Sequence, residues 1–572
     1  MPIWEVSEPY ISVWLYDQPL GYAPGLGYPI SFKLAYKQRE ARVPSDHYFN
    51  FGPMWNSSWL TYISVDTDPT MISALGGERE YAGIDTYYSP EKLQGAAGGG
   101  TTNYTLSYPN GAKDYYNTLY PSITINGKAV ALLTDKVDPF GHTNRFIYQH
   151  SGSLVLLQYV VDADGRTNTL AYTNTTYPTR VTGVQDPYGR TTILKYSDTG
   201  KLTNVVDVAG LSSSFKYDYQ GWVTNLITPY GTTTFTYSTN NSGTTNEFDT
   251  PAGGTEDFII RSVKVIDPEN GTNIYMLRQR SDGDPGVPDT YSIGLANYQS
   301  LPWSFDDTLT EYRDSFHWGP KQASGLPIDL TSLSASDYRK ARMRHWLHGQ
   351  QVNTISQSLD MQQEPSPDGS TIGQTLWYDY PEKINATYYQ GSSPFPSGVA
   401  RVLPDGTTWY AYYLRDEWGR PTNVVQTYSL AYGQTPLPRT NIYVYDGADL
   451  IKAIGPQGET QAGFAYDSHH IIRATNAVGD VTFYTYDGAG RLINTKTPAG
   501  LNTTNIYFSS GEYSNWVQTR IDREINRTNT FSYTNDLVFI HTNELGLITT
   551  NLYDNLQRLT NSADSRGALV YN

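Results

Sequence analysis

The residues of this chain that could do chemistry are few, and their spacing argues against most reactions. His345 and His348 stand three apart in His345-Trp346-Leu347-His348. On a helix that spacing turns both imidazoles toward one metal ion, but no third ligand is in register, so the pair reads as a helix end with histidines near its carboxyl-terminal dipole. The same stretch carries Arg339, Lys340, Arg342 and Arg344, a basic face that reads as solvated or docked on a wall rather than as an anion site. Asp162-Ala163-Asp164-Gly165 and Asp282-Gly283-Asp284 cluster carboxylates as calcium loops do, yet neither continues into the other ligand positions or the distal glutamate, so both read as turns. His469-His470 reads as turn surface. The chain has no cysteine, no Gly-x-Ser-x-Gly and no His-Glu-x-x-His, and scattered Asp and Glu pairs make no glycosidase dyad without a spatial separation. No catalytic residue, metal or cofactor is assigned. The aromatic run Trp409, Tyr410, Tyr412, Tyr413 is the better lead, because rings on one face of a strand can stack on sugars; packing is the competing use of the same tyrosines.

The elements that must carry these residues announce themselves by period. Tyr148, Tyr172, Tyr196, Tyr217 and Tyr237 are separated by 24, 24, 21 and 20 residues, and Tyr445, Tyr466, Tyr486 and Tyr507 by 21, 20 and 21, with Tyr553 further on. Glycines 141, 165, 189, 210 and 231, and again 458, 479 and 500, keep step. A fixed period near twenty signals an array whose units bury their apolar faces only against neighbours. Each unit holds two strands and two turns. In Asp487-Gly488-Ala489-Gly490-Arg491 the aspartate is placed to accept from backbone N–H groups, and Gly490 to take the left-handed conformation.

Residues 1–127 lack the period but read as β-rich, with Asn110-Gly111 and Asn126-Gly127 as hairpin turns. Gly95 to Gly100 reads as an exposed loop. The first repeat block is expected over 128–280 and the second over 401–572. A non-repeat insertion over 281–400 is expected to carry one helix near 335–348, capped by Ser334 and Asp337, ended by Gly349 and pinned by Met343, Trp346 and Leu347.

Composition narrows the partners. With 40 basic against 56 acidic side chains the net charge is −16, which disfavours nucleic acid and anionic membrane surfaces. No run is long and apolar enough for a membrane span, and Met1-Pro2-Ile3-Trp4-Glu5 does not read as a secretory leader. An end at Tyr571-Asn572, inside the array, is expected of a fragment of a longer protein.

Tyr486-Asp487-Gly488-Ala489-Gly490-Arg491-Leu492, and with substitutions Tyr553-Asp554-Asn555-Leu556-Gln557-Arg558-Leu559, resemble the YD repeat of bacterial Rhs (rearrangement hotspot) and related secreted proteins. Asp186-Pro187-Tyr188-Gly189-Arg190 is similar to that family's second turn, and Tyr36-Lys37-Gln38-Arg39 with Phe51-Gly52-Pro53-Met54-Trp55 to the segment before its repeats. The resemblance implies an all-β strand spiral forming part of a hollow shell, with a C-terminal effector enclosed in toxin members. The closing core segment, the self-cleaving aspartate site and the toxin domain of that family are not recognisable here. The expected function is therefore a non-catalytic, extracellular or cell-surface scaffold that encloses or presents another domain. The alternatives are a glycan-binding surface protein using Trp409, Tyr410 and Tyr412, and a polysaccharide-processing enzyme sited in 281–400.

Overall fold

A computed structural model of the chain describes residues 1–40, 42, 44–81, 90–98, 101–242, 258–280, 305, 312–349, 355–383, 389–564 and 566–571. The architecture is all-β. Strands Ile3–Ser7, Ser12–Tyr22, Ile30–Lys37 and Trp55–Ser57 form a sequential antiparallel sheet of their own. A second ladder branches at Lys128–Val137, which pairs with Tyr62–Ser64, Lys113–Asn117 and Thr143–Ser151. From there each strand pairs antiparallel with the next until Gly567–Tyr571.

The 281–400 insertion does not interrupt this ladder. Tyr312–Trp318, Arg342–His348, Ile355–Gln363, Thr375–Asp379 and Gly398–Val402 continue it strand by strand. The expected helix is shortened to Ala335–Arg339. Its start is as read, with Ser334 and Asp337 forming a reciprocal capping box. From Arg342 the chain is a strand paired with Tyr312–Trp318 and Ile355–Gln363, with Met343 and His345 buried at 2% each and Arg342 and Arg344 half-buried, a period of two that outweighs the helical reading of the same residues. Gly95–Gly98 is likewise strand, not loop: Lys92–Gly98 pairs with Thr101–Ser107, and the Tyr104 ring fills the space over Gly95 that a side chain would take. Asn126 and Gly127 make the expected hairpin with φ of 52° and 79°. Asp282-Gly283-Asp284 lies outside the described residues.

The repeat fixes curvature as well as pairing. The ladder slips by one residue immediately before Tyr148, Tyr196, Tyr217, Tyr445, Tyr466, Tyr486, Tyr507, Tyr533 and Tyr553. Lys195 faces Asn204 but Tyr196 faces Leu202, so Thr203 is left over. A bulge at the same place in most units bends and twists the sheet the same way each time, which is how a period in sequence becomes a curved wall.

The main core lies between the N-terminal sheet and one face of the first repeat block. Phe146, Leu170, Leu194, Phe215 and Phe235, each two residues before a repeat tyrosine, are all at most 5% exposed. Trp55 packs 4.7 Å from Phe215, and Trp4 meets Phe235 edge-on at 6.3 Å. The backbone of the small sheet is fastened too, with Thr192 Oγ1 and the Val208 amide both donating to the Pro19 carbonyl.

Candidate functional site: the wall face, its turns and its seam

Most repeat tyrosines are struts across the wall. The hydroxyls of Tyr148, Tyr172, Tyr196, Tyr237, Tyr466, Tyr507 and Tyr553 donate to the carbonyls of Leu133, Leu157, Val181, Val223, Leu450, Leu492 and Val538 at 2.6–3.0 Å, and Tyr217 reaches Leu202 in the same way. Most acceptors sit at bulges: Leu202 faces Tyr196, and Leu492 faces Tyr486. A backbone oxygen where the ladder is disrupted thus gains a partner from the next repeat. Tyr533 donates to the Val517 carbonyl in the same way at 2.8 Å, and burial pushes its hydroxyl up to about 12, so it keeps its proton. Tyr196→Phe is expected to destabilise by about 1–3 kcal/mol through the unpaired Val181 carbonyl, read by urea denaturation. Tyr445 instead lies under the Arg420 guanidinium at 4.3 Å, and Tyr486 stacks on His470 at 4.5 Å.

The turns are closed loops of hydrogen bonds. Asp487 Oδ1 accepts from the Ala489 and Arg491 amides at 2.9 and 3.0 Å, while Arg491 Nε donates to Oδ2 at 2.7 Å. Asp554 with Arg558, Asp186 with Arg190 and Asp162 with Arg166 repeat the arrangement. Gly490 has φ of 75°, and its counterparts Gly165, Gly189, Gly210, Gly458, Gly479 and Gly500 share that left-handed geometry. The carboxylates of Asp162 and Asp164 are therefore turn and arginine partners.

What the sequence period did not reveal is a seam between residues some 350 apart. Arg166 Nη1 donates to Asp536 Oδ1 at 2.6 Å, and Tyr188 hydrogen-bonds the other oxygen of Asp536. Asn515 Nδ2 donates to Asp164 Oδ1 at 2.7 Å, Arg190 Nη1 to the Asn555 carbonyl at 2.8 Å, and Phe140 stacks on His470 at 4.4 Å. Lys92 bridges to Glu417 at 2.8 Å and lies 4.0 Å over the Trp418 ring. The contacts advance in order along both strips, so the ladder has come round and laid its second block on the turns of its first. Burial would lower the Arg166 pKa, but the hydrogen bond to Asp536 and the charges of Asp162 and Asp536 outweigh it and hold the guanidinium above its ordinary value. His469-His470 belongs to this seam.

The second block uses the strand positions of the first differently. Two residues before its tyrosines stand Tyr443, Phe464, Tyr484, Asn505, Phe531 and Asn551, none of them buried. Opposite them, where the first block has Val160, Val184, Val205 and Leu226, stand Ala453, Ala474, Thr495, Arg520, His541 and Ser562. Asn505 and Asn551 donate their amides to the Leu492 and Val538 carbonyls that the tyrosines also reach. No core lies on this face among the described residues.

The insertion holds buried charge rather than an open site. His345 Nδ1 lies 3.1 Å from Asp314 Oδ1; burial lowers its proton affinity, but Asp314 outweighs that and raises it. His345 stands in the strand Arg342–His348, not on a helix, so the helical spacing that the pair would need does not apply. Arg342 and Arg344 close on Glu8 of the N-terminal sheet, so the basic face is docked. Tyr410 and Tyr412 pack partly buried against the insertion's core, and the Arg401 guanidinium lies 5.1 Å over Trp409. A cavity of about 760 Å³ opens nearby, lined by Tyr380, Phe395, Tyr412, Tyr413, Lys383 and Arg415 among others.

Fold and turns together define a class of protein: a strand-spiral repeat wall whose units are written as tyrosine, aspartate turn and bulge. The RHS Repeat family model matches residues 196–233 and 466–503, one stretch in each block, and the chain carries RHS repeats in both. No curated protein matches. Among solved structures, TcdB2-TccC3 matches with 10% identity and a TM-score of 0.29 over 97% of this chain and 36% of that one. TcdB2-TccC3-TEV gives 8% and 0.32, with 97 and 38% covered. The Photorhabdus luminescens Tc holotoxin pore gives 10% and 0.27, with 97 and 37% covered. The chain thus spans little more than a third of these structures.

Proposed function

We propose that this chain is a non-catalytic wall, acting outside the cell as the secreted proteins its repeats resemble do, and that it encloses or presents another domain. One observation carries the reading. The same register positions are all Leu, Phe and Val where the N-terminal sheet seals them; where nothing among the described residues does, they are mostly Tyr, Asn, Thr, Arg, His and Ser, with Phe464 and Phe531 the large apolar exceptions beside Ala453 and Ala474. A face meant for a further apolar layer would keep the apolar residues. A face bordering water or a polar occupant would not, and enclosure then works by shape, without a tight docking surface. Electron cryo-microscopy of the native gene product tests this. Polypeptide density against the inner face of 437–564 that belongs to no repeat strand is expected; a face open to bulk solvent, or sealed by more repeat strands, overturns the proposal. A second reading, oligosaccharide binding, is supported by the aromatic cavity beside Tyr412. Screening the chain on a glycan array, with Tyr412→Ala and Phe395→Ala as controls, decides it: no signal, or signal equal in the variants, removes it.

A further inference from the structure

Two of the nine histidines, His142 and His470, meet at one place on the seam, with His469 next to the second in the same turn, and their arrangement does more than fill space. The tip Phe140-Gly141-His142 of the first block sits on the second. Phe140 lies nearly parallel to His470, at 4.4 Å and 9°, and Tyr486 covers the ring's other side at 4.5 Å and 28°. His142 Nδ1 is 2.9 Å from Asp138 Oδ2 and Nε2 is 3.3 Å from the Ala489 carbonyl. A β-carbon on Gly490 would lie 2.8 Å from His470 Nε2 and 3.7 Å from His142 Cε1; the two rings converge on one point. They line a cavity of about 500 Å³ with Asp467, Tyr484 and Asp487.

We infer that this seam is acid-labile: it is closed while the His470 ring, held between Phe140 and Tyr486 and converging on His142, carries no added proton, and a proton on His470 parts it. The groups facing His470 are His142 and Asp138 from the neighbouring strip, and Asp467 and His469 from its own turn. Of these, Asp138 is engaged by His142, and His469 is held 3.0 Å from Asp449. The Asp487 carboxylate in the cavity wall is engaged by Arg491. Burial, and next the charge on His142, lower the proton affinity of His470 in the closed seam. Once the strips separate, its ring regains the ordinary value of about 6.5. The sign follows. A base whose affinity is depressed when closed contributes full stability above the ordinary value, and loses it as pH falls through the depressed one. The inference rests on the seam alone and stands whatever the wall encloses.

The chain has no cysteine, so spin labels at Thr143→Cys and Gly488→Cys report the strip separation without background. A single short distance is expected near pH 7.5, and a second, longer population, at least about threefold more abundant, near pH 5, the two conditions bracketing the histidine range. His470→Phe keeps a ring between Phe140 and Tyr486 but takes no proton, and is expected to stay short at both. His470→Gln, which loses both ring and proton, is expected to show no pH dependence whatever its distance. A parent distance that does not change with pH, or a pH response retained in both variants, overturns the inference.

Discussion

Asp536→Ala is expected to loosen the seam over several turns at once. The carboxylate is 2% exposed and accepts from both Arg166 and Tyr188, while its own residue sits in a tight turn with φ of 65°. Removing one partner of a buried pair costs about 3–5 kcal/mol when the other is left uncompensated. Arg166 keeps Asp162 and Asp164 at 3.1 Å, so the lower end of that range applies, with the Tyr188 hydroxyl orphaned as well. Hydrogen exchange gives the readout. Amides of 162–166, 186–190 and 534–537 should exchange faster by about two orders of magnitude, at 1.4 kcal/mol per factor of ten, while those of 12–37 in the N-terminal sheet stay protected. Equal loss in both regions would mean that the seam unfolds only with the whole chain. No change would mean that Asp536 is dispensable.

Phe215→Ala and Tyr484→Ala occupy the same place in the repeat, two residues before a bulge tyrosine, yet should differ severalfold. Phe215 is 4% exposed and packs on Trp55; truncating it opens a cavity between two sheets and costs about 3–5 kcal/mol. Tyr484 is half-buried, beside the seam cavity and outside every core among the described residues, and its truncation is expected to cost about 1 kcal/mol or less. Chemical denaturation of the isolated chain measures both. Similar costs would show that the second block's inner face is already sealed in solution, contrary to the proposed function.

Much of the fold was legible because the repeat is local. Tyr486, Asp487 and Gly490 specify strand, turn and bulge within a few residues, and a pattern repeated in register needs no tertiary information. The 335–348 segment shows where that ends. Ser334 and Asp337 signalled a helix start truthfully, but a short apolar run fits both periods, and only pairing of 342–348 with 355–363 and 312–318 decided for strand. His470 read as surface for the same reason: Phe140, its partner, is 330 positions away, and nothing local marks a contact made by the wall coming round. The polar inner face of the second block was visible in the residue types, but its meaning depended on knowing which face the N-terminal sheet covers.

The seam also makes the insertion a ruler. Its mates are fixed pairs, 347 residues apart at His142 and Ala489 and 365 at Arg190 and Asn555, so the chain between them sets the circumference. Adding or deleting one unit there would bring every arginine opposite the wrong turn, whereas adding units beyond it would only lengthen the thread. Evolution can therefore vary the height of such a wall freely while its girth stays locked.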